Sequence, residues 1–208
     1  MTLIAEAPAA ASTPPAARRA MIDSQLRVSG VNDPAVLAAM AAVLREDFVP
    51  PALKANAYVD RALPLGGGAA LAAPLVHGRM LAEAALQPGE KVLVISDSGY
   101  LAALVTAMGG AVTLVSPAVA ASKNDGTYSL ILIDGAAEVL PASVAAMLSA
   151  NGRVITGVLT RGITRLAAGR KAGAKAGAKA GEAIALMNLA EIGMPVLPAF
   201  AAAKSWSF

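Results

Sequence analysis

A single imidazole, His77, and the absence of cysteine leave this chain few routes to nucleophilic or metal chemistry. Without thiols there are no disulfides and no thiolate metal sites, and one histidine cannot build a multi-histidine cluster. No metal site is therefore expected. The remaining reactive groups gather at the ends of apolar runs. Ser96-Asp97-Ser98-Gly99-Tyr100 follows KVLVI, which places a carboxylate, two hydroxyls and a glycine where a strand gives way to a helix. Ser116 closes AVTLV and Asp134 closes YSLILI. Asp97 has two readings: contact with a cationic group of a ligand, or capping of the helix that starts near Gly99. Asp134 also has two: an acidic ligand contact at the end of a strand, or a turn residue before Gly135. His77 sits in the apolar segment LVHGRML, where a structural histidine is expected, and no hydrolase motif of the G-x-S-x-G type surrounds Ser98.

Such residues need a sheet to position them. Lys91 to Ser96, Ala111 to Ser116 and Tyr128 to Asp134 read as buried strands. GYLAALVTAM forms a helix after the first, a helix near Pro141 to Leu148 follows the third, and a turn at Asn151-Gly152 leads into the strand RVITGVL. Strands alternating with helices predict an α/β fold, a mostly parallel sheet with helices on both faces and its ligand crevice at the carboxyl ends of the strands. TRLAAG and EAIALMNLA can pair as a hairpin. Upstream, Ala16 to Val28 reads as a first helix stopped by Gly30, and Asp33-Pro34 opens a second through Leu44. The proline-punctuated stretch FVPPALKANAYVDRALPLGGG is expected to be irregular.

A chain of 208 residues with 56% apolar composition fits one domain, taken here as residues 16–208, after a disordered tail at 1–15. That tail, with Glu6 and three prolines by Pro15, lacks the pattern of a signal peptide. The mean hydropathy of +0.60 rests largely on alanine. Ser98 to Ala121 carries no charged side chain, but Gly109-Gly110 and Pro117 interrupt it, so no membrane span is expected. A net charge of +3 does not call for nucleic acid. The repeat GRKAGAKAGAKAG, with Lys171, Lys175 and Lys179 every fourth residue, is expected to form a mobile loop over 169–181, because its recurring glycines penalise a helix by about 1 kcal/mol each. Lack of cysteine is compatible with a cytoplasmic location.

Three blocks in this order resemble the protein-L-isoaspartate O-methyltransferase family. They are ARRAMIDSQL through REDFVPP (18–51), AYVDRALPLGGG (57–68) followed by Pro74, and LQPGEKVLVISDSGY (86–100). The resemblance implies a Rossmann-like S-adenosylmethionine (SAM) methyltransferase fold. It also implies transfer of the SAM methyl group to the free α-carboxyl of an L-isoaspartyl residue in a damaged protein or peptide. A carboxylate is already ionised at neutral pH, so this chemistry asks for alignment and binding more than for a base. On the family's pattern the cofactor-binding positions are Asp97, Ser98, Gly99, Tyr100, Ser116 and Asp134.

The chain departs from that pattern in three places. The family's glycine-rich turn is here Ser96-Asp97-Ser98-Gly99, one residue shorter and with one glycine. The acid that commonly binds the ribose at the end of the second strand is Ser116. Only eleven residues separate Ser116 from Tyr128, too few for the helix, strand and helix the family places there. Ala70 and Ala72 stand where the family has its threonine and active-site serine, so no catalytic residue is assigned. A degenerate member is expected, with weak or absent SAM binding and little or no activity. The alternatives are a pseudoenzyme serving as a binding or scaffold module for an unknown protein, and a small-molecule sensor on the same fold.

Overall fold

The structure is a computed structural model that describes residues 14–122, 125–171 and 184–202. The expected tail falls outside the described residues up to 13, and so does the expected lysine-rich loop from 172 to its end at 181.

Helix α1 (Pro14–Met21) begins two residues before the sequence suggests, with its prolines in the first turn, where a missing N–H costs nothing. It does not run on as one regular helix. A wider turn at Ile22–Leu26 and a 3₁₀ turn at Arg27–Ser29 follow, and Gly30 ends the run at φ 83°. The Asp33 carboxylate accepts from Ala35 N at 2.8 Å and Val36 N at 3.2 Å, capping α2 (Pro34–Ala42) as expected.

The stretch expected to be irregular holds more order than that. After 3₁₀ turns at Arg45–Phe48 and Pro51–Asn56, strands β1 (Leu63–Gly66) and β2 (Ala69–Leu71) pair as a small antiparallel hairpin. Its turn uses Gly66, Gly67 and Gly68, all at positive φ, so the Gly-Gly-Gly run was a hairpin signal rather than a loop signal.

The main sheet comprises β3 (Lys91–Ile95), β4 (Ala111–Val115), β5 (Tyr128–Ala137), β6 (Leu148–Thr160), β7 (Ile163–Lys171) and β8 (Ile184–Glu191), in the order β4-β3-β5-β6-β7-β8. The first four strands are parallel; β7 and β8 form the expected antiparallel hairpin. Helices α4 (Tyr100–Ala107), α5 (Pro117–Ser122) and α6 (Ala142–Met147) make the crossovers. Between β4 and β5 the only described helix is the six-residue α5, in keeping with the short spacing. Asn151-Gly152 does not break the strand. Asn151 takes φ 64° within β6, where the register against β5 slips. β7 continues through Lys171, so the first three residues of the expected loop belong to the strand.

Alternation along the buried strands divides the core in two. Val92, Val94, Leu130 and Leu132 pack toward α1, α2, α4 and α3 (Pro74–Ala84). Leu93, Ile95, Ile131 and Ile133 pack toward α5, α6 and Phe200. Helices thus cover both faces, as the apolar strand runs predict. No described helix is long and apolar enough to cross a membrane. The charge-free stretch from Ser98 to Ala121 is spent on α4, β4 and α5.

Candidate functional site

The strand order reverses direction between β3 and β5, since β3 leads to β4 on one side and β5 leads to β6 on the other. In an open α/β sheet this is where the crevice opens, at the carboxyl ends of the two strands. Ser96 follows the last residue of β3, and Asp134 stands just past the last β5 residue that pairs with β3, although β5 itself runs on through Ala137 and does not turn at Asp134-Gly135.

Asp134 does not face solvent there. It is 4% exposed, at a register shift of β5 against β6 that re-aims the chain. Its Oδ2 accepts from Ser96 Oγ at 2.7 Å and from Ser98 Oγ at 3.2 Å, and its Oδ1 lies 2.9 Å from His77 Nε2. Burial pushes this carboxyl up, but its contact with His77 and the hydrogen bonds from the two serine hydroxyls outweigh it and hold Asp134 below its ordinary value.

The chain of contacts continues through His77, which is fully buried on α3. Arg45 Nη1 lies 3.2 Å from His77 Nδ1. A guanidinium has no lone pair to offer, so Nδ1 must accept and Nε2 must carry the proton it donates to Asp134. This fixes His77 as the neutral Nε2–H tautomer. Arg45, also fully buried, donates from Nε to Ala57 O at 2.7 Å and from Nη2 to Ala72 O. Burial draws its pKa below the ordinary value, against the attraction of Tyr100 and Asp134. Its guanidinium carbon stands 5.0 Å from the centroid of the Tyr100 ring, which also meets His77 and Phe48 edge-on at 5.2 and 5.3 Å. The buried Tyr100 hydroxyl is pushed up to about 12, by burial first, with Arg45 opposing. A buried cation and a buried anion are thus joined through one neutral imidazole, and their charges cancel.

The structure brings Ser98, Tyr100 and Asp134 together and leaves Asp97 and Ser116 apart from them. Asp97 is exposed, and the capping contact at α4 comes from Ser98, whose Oγ accepts from Tyr100 N at 3.2 Å. Gly99 sits at φ 73°, a conformation in which any Cβ is strained, with Phe48 and Leu114 side chains beside it. Ser116 Oγ accepts from Val119 N at 3.4 Å at the start of α5. Ala72 is fully buried in the core below Arg45, and Ala70 is half-buried on β2. Among the described residues no cluster of three or more metal-ligating side chains exists. Arg45 is the member that sequence reading missed. It stands in REDFVPP, and only its unusual full burial reveals its part.

Asp134, the acid nearest the crevice, already has three partners, and the end of β4 offers a hydroxyl engaged in a helix cap. Asp97 remains the exposed acid at the turn.

The sequence profile of protein-L-isoaspartate(D-aspartate) O-methyltransferase (PCMT) matches residues 16–122. The chain belongs to this family. A protein-L-isoaspartate O-methyltransferase of Methylorubrum populi is 31% identical over 169 residues, covering 69% of this chain and 80% of that protein. One from Gloeobacter violaceus is 35% identical over 168 residues, covering 68% and 82%. Among solved structures, a putative PCMT from Plasmodium falciparum in complex with S-adenosyl-L-homocysteine superposes with a TM-score of 0.68 at 17% identity, over 88% of this chain and 98% of that one. The PCMT profile ends where α5 ends. It therefore takes in the N-terminal helices, the β1–β2 hairpin and the crevice turn, and stops short of the strand carrying Asp134.

Proposed function

We propose that this PCMT-family chain keeps the SAM-methyltransferase fold but binds SAM weakly or not at all, and acts as a binding or scaffold module instead of a carboxyl methyltransferase. The observation that carries this reading is the enclosure of Asp134. A carboxylate that accepts from Ser96, Ser98 and His77 has little left for a ribose or an amino group. Freeing it strands a buried guanidinium, a cost that ligand binding has to overcome. The acceptor side supports the same reading. An isoaspartyl carboxylate stripped of water needs hydrogen-bond donors, and Ala70 and Ala72 present methyl groups.

A second reading, an active SAM-dependent enzyme repairing isoaspartyl proteins, is favoured by the family itself and by Gly99, which keeps the positive φ of the crevice turn. Isothermal titration with S-adenosylhomocysteine separates the two. The expected result is no saturating isotherm at concentrations that report a dissociation constant below about 50 μM. A clear isotherm in that range puts the active-enzyme reading first.

A further inference from the structure

β4 is an edge of the main sheet: among the described residues, β3 is the strand it pairs with. Two bonds tell which of its backbone groups are used. Ala111 N donates to Glu90 O at 2.8 Å, and Ser96 N donates to Val115 O at 3.0 Å. A parallel ladder employs both groups of alternate residues, so Ala111, Thr113 and Val115 face β3. Val112 and Leu114 therefore turn their N–H and C=O groups away from the sheet.

Edges of this kind are ordinarily guarded by a lysine, a proline, a bulge or an inward charge. β4 has none of these. Its register with β3 runs through five pairs without a shift, and no charged residue occurs between Ser98 and Ala121. Two large apolar side chains flank the edge, Leu114 at 47% exposure and Val119 on α5 at 44%.

From this we propose that β4 is a self-association edge, at which two copies of the chain pair antiparallel about a two-fold axis through Thr113 and join their sheets into one. In that register Val112 of one copy stands opposite Leu114 of the other, and the two exchange both hydrogen bonds; symmetry repeats the exchange on the far side of the axis. The four outward groups are satisfied by the same four groups of the second copy. A two-fold axis sets residues against their own kind, so a charge on this strand would meet its like. An uncharged strand meets no such repulsion, and it offers no counter-charge to a charged foreign strand. A second copy is therefore the occupant that suits it. The pairing stands independently of whether SAM binds.

Sedimentation equilibrium of the full chain tests this, over concentrations up to about 300 μM because an interface this small binds weakly. The mass should rise from 20.7 kDa toward twice that value. Thr113→Lys and Thr113→Glu each place like charges opposite one another across the axis and should stay monomeric. Mixing the two variants should restore the dimer, because the axis then pairs lysine with glutamate. Val112→Pro removes an outward donor that β3 does not use, and an edge strand tolerates that change. It should weaken dimerisation at least about tenfold with the melting temperature held, and it serves as the test if the Thr113 variants fail to fold. A wild-type mass that stays at the monomer value, dimers that persist in Thr113→Lys and Thr113→Glu or in Val112→Pro, or a mixture that stays monomeric would each overturn the proposal.

Discussion

Two arginines of this protein make ion-linked clusters at opposite ends of the same sheet, and they differ in what they hold. Arg45, at the carboxyl end, reaches Asp134 only through His77, and all three side chains are almost wholly out of water. Arg153, at the amino end, makes a two-pronged pair with Glu90 at 2.6 and 2.8 Å, with the two side chains 16% and 9% exposed. It also donates to Ala84 O at 2.7 Å and Ala85 O at 3.3 Å, binding the last carbonyls of α3. The Arg153 cluster is a clip near water that closes a helix end. The Arg45 cluster is a bridge through the interior that ties the 3₁₀ turn at Arg45–Phe48 and α3 to the ends of β3 and β5. Water can replace a broken partner at the clip but not at the bridge.

The largest expected effect follows from that difference. Asp134→Ala leaves Arg45 buried without its counter-charge and should cost about 3–5 kcal/mol in urea denaturation. A loss under about 1 kcal/mol would erase the distinction between bridge and clip.

Next is Gly135→Ala, beside the bridge. A Cβ there would lie 2.6 Å from Leu197 Cγ and 2.9 Å from Pro195 O, where Ala136 N donates to Pro195 O at 2.7 Å and backbone must shift. Destabilisation of about 1–3 kcal/mol is expected, read from the denaturant midpoint at unchanged slope. Glu90→Gln tests the clip, and about 1–2 kcal/mol is expected because solvent compensates part of the loss.

Acid sharpens the contrast further. The folded state lowers the pKa of Asp134, and likewise of Glu90, where burial raises it but the hydrogen bond from Arg153 leads the opposing causes. A lowered folded pKa gives stability that is present above the unfolded value of about 4 and is lost as pH falls through the folded one. Stability measured from pH 5 downward should therefore decline less steeply in Asp134→Asn than in wild type. Equal slopes would show that the carboxyl is not held in its charged form. The smallest effect is expected from Ala70→Thr with Ala72→Ser: no measurable methyl transfer to an isoaspartyl peptide, since position 72 lies in the core and Asp134 stays enclosed. Appearance of activity would return weight to the acceptor side.

The sheet was legible because KVLVI, AVTLV and YSLILI are nearly continuous apolar runs; β3 and β5 are buried on both faces as such runs suggest, whereas β4, at the edge, is only partly buried and departs from the buried strand expected there. The Asp33-Pro34 helix start was legible because capping is local. The β1–β2 hairpin was not, because Pro64 and its short span mask a pairing whose signal is the turn itself. The site was legible in part. Asp134 could be placed at a strand end, yet its partner His77 is 57 residues away in sequence and Arg45 a further 32 from that histidine. No local rule announces a buried arginine; only the packed structure shows which charge goes inside. Asp97 was the natural cap on residue type, but the turn presents Ser98 to the helix instead.

Lys171 ends β7 by donating to Leu148 O at 2.6 Å and Ala145 O at 3.2 Å, at the foot of α6. Directly across the ladder it pairs with Ile184, the first residue of β8. The two ends of the intervening segment are thereby fixed side by side, whatever its length.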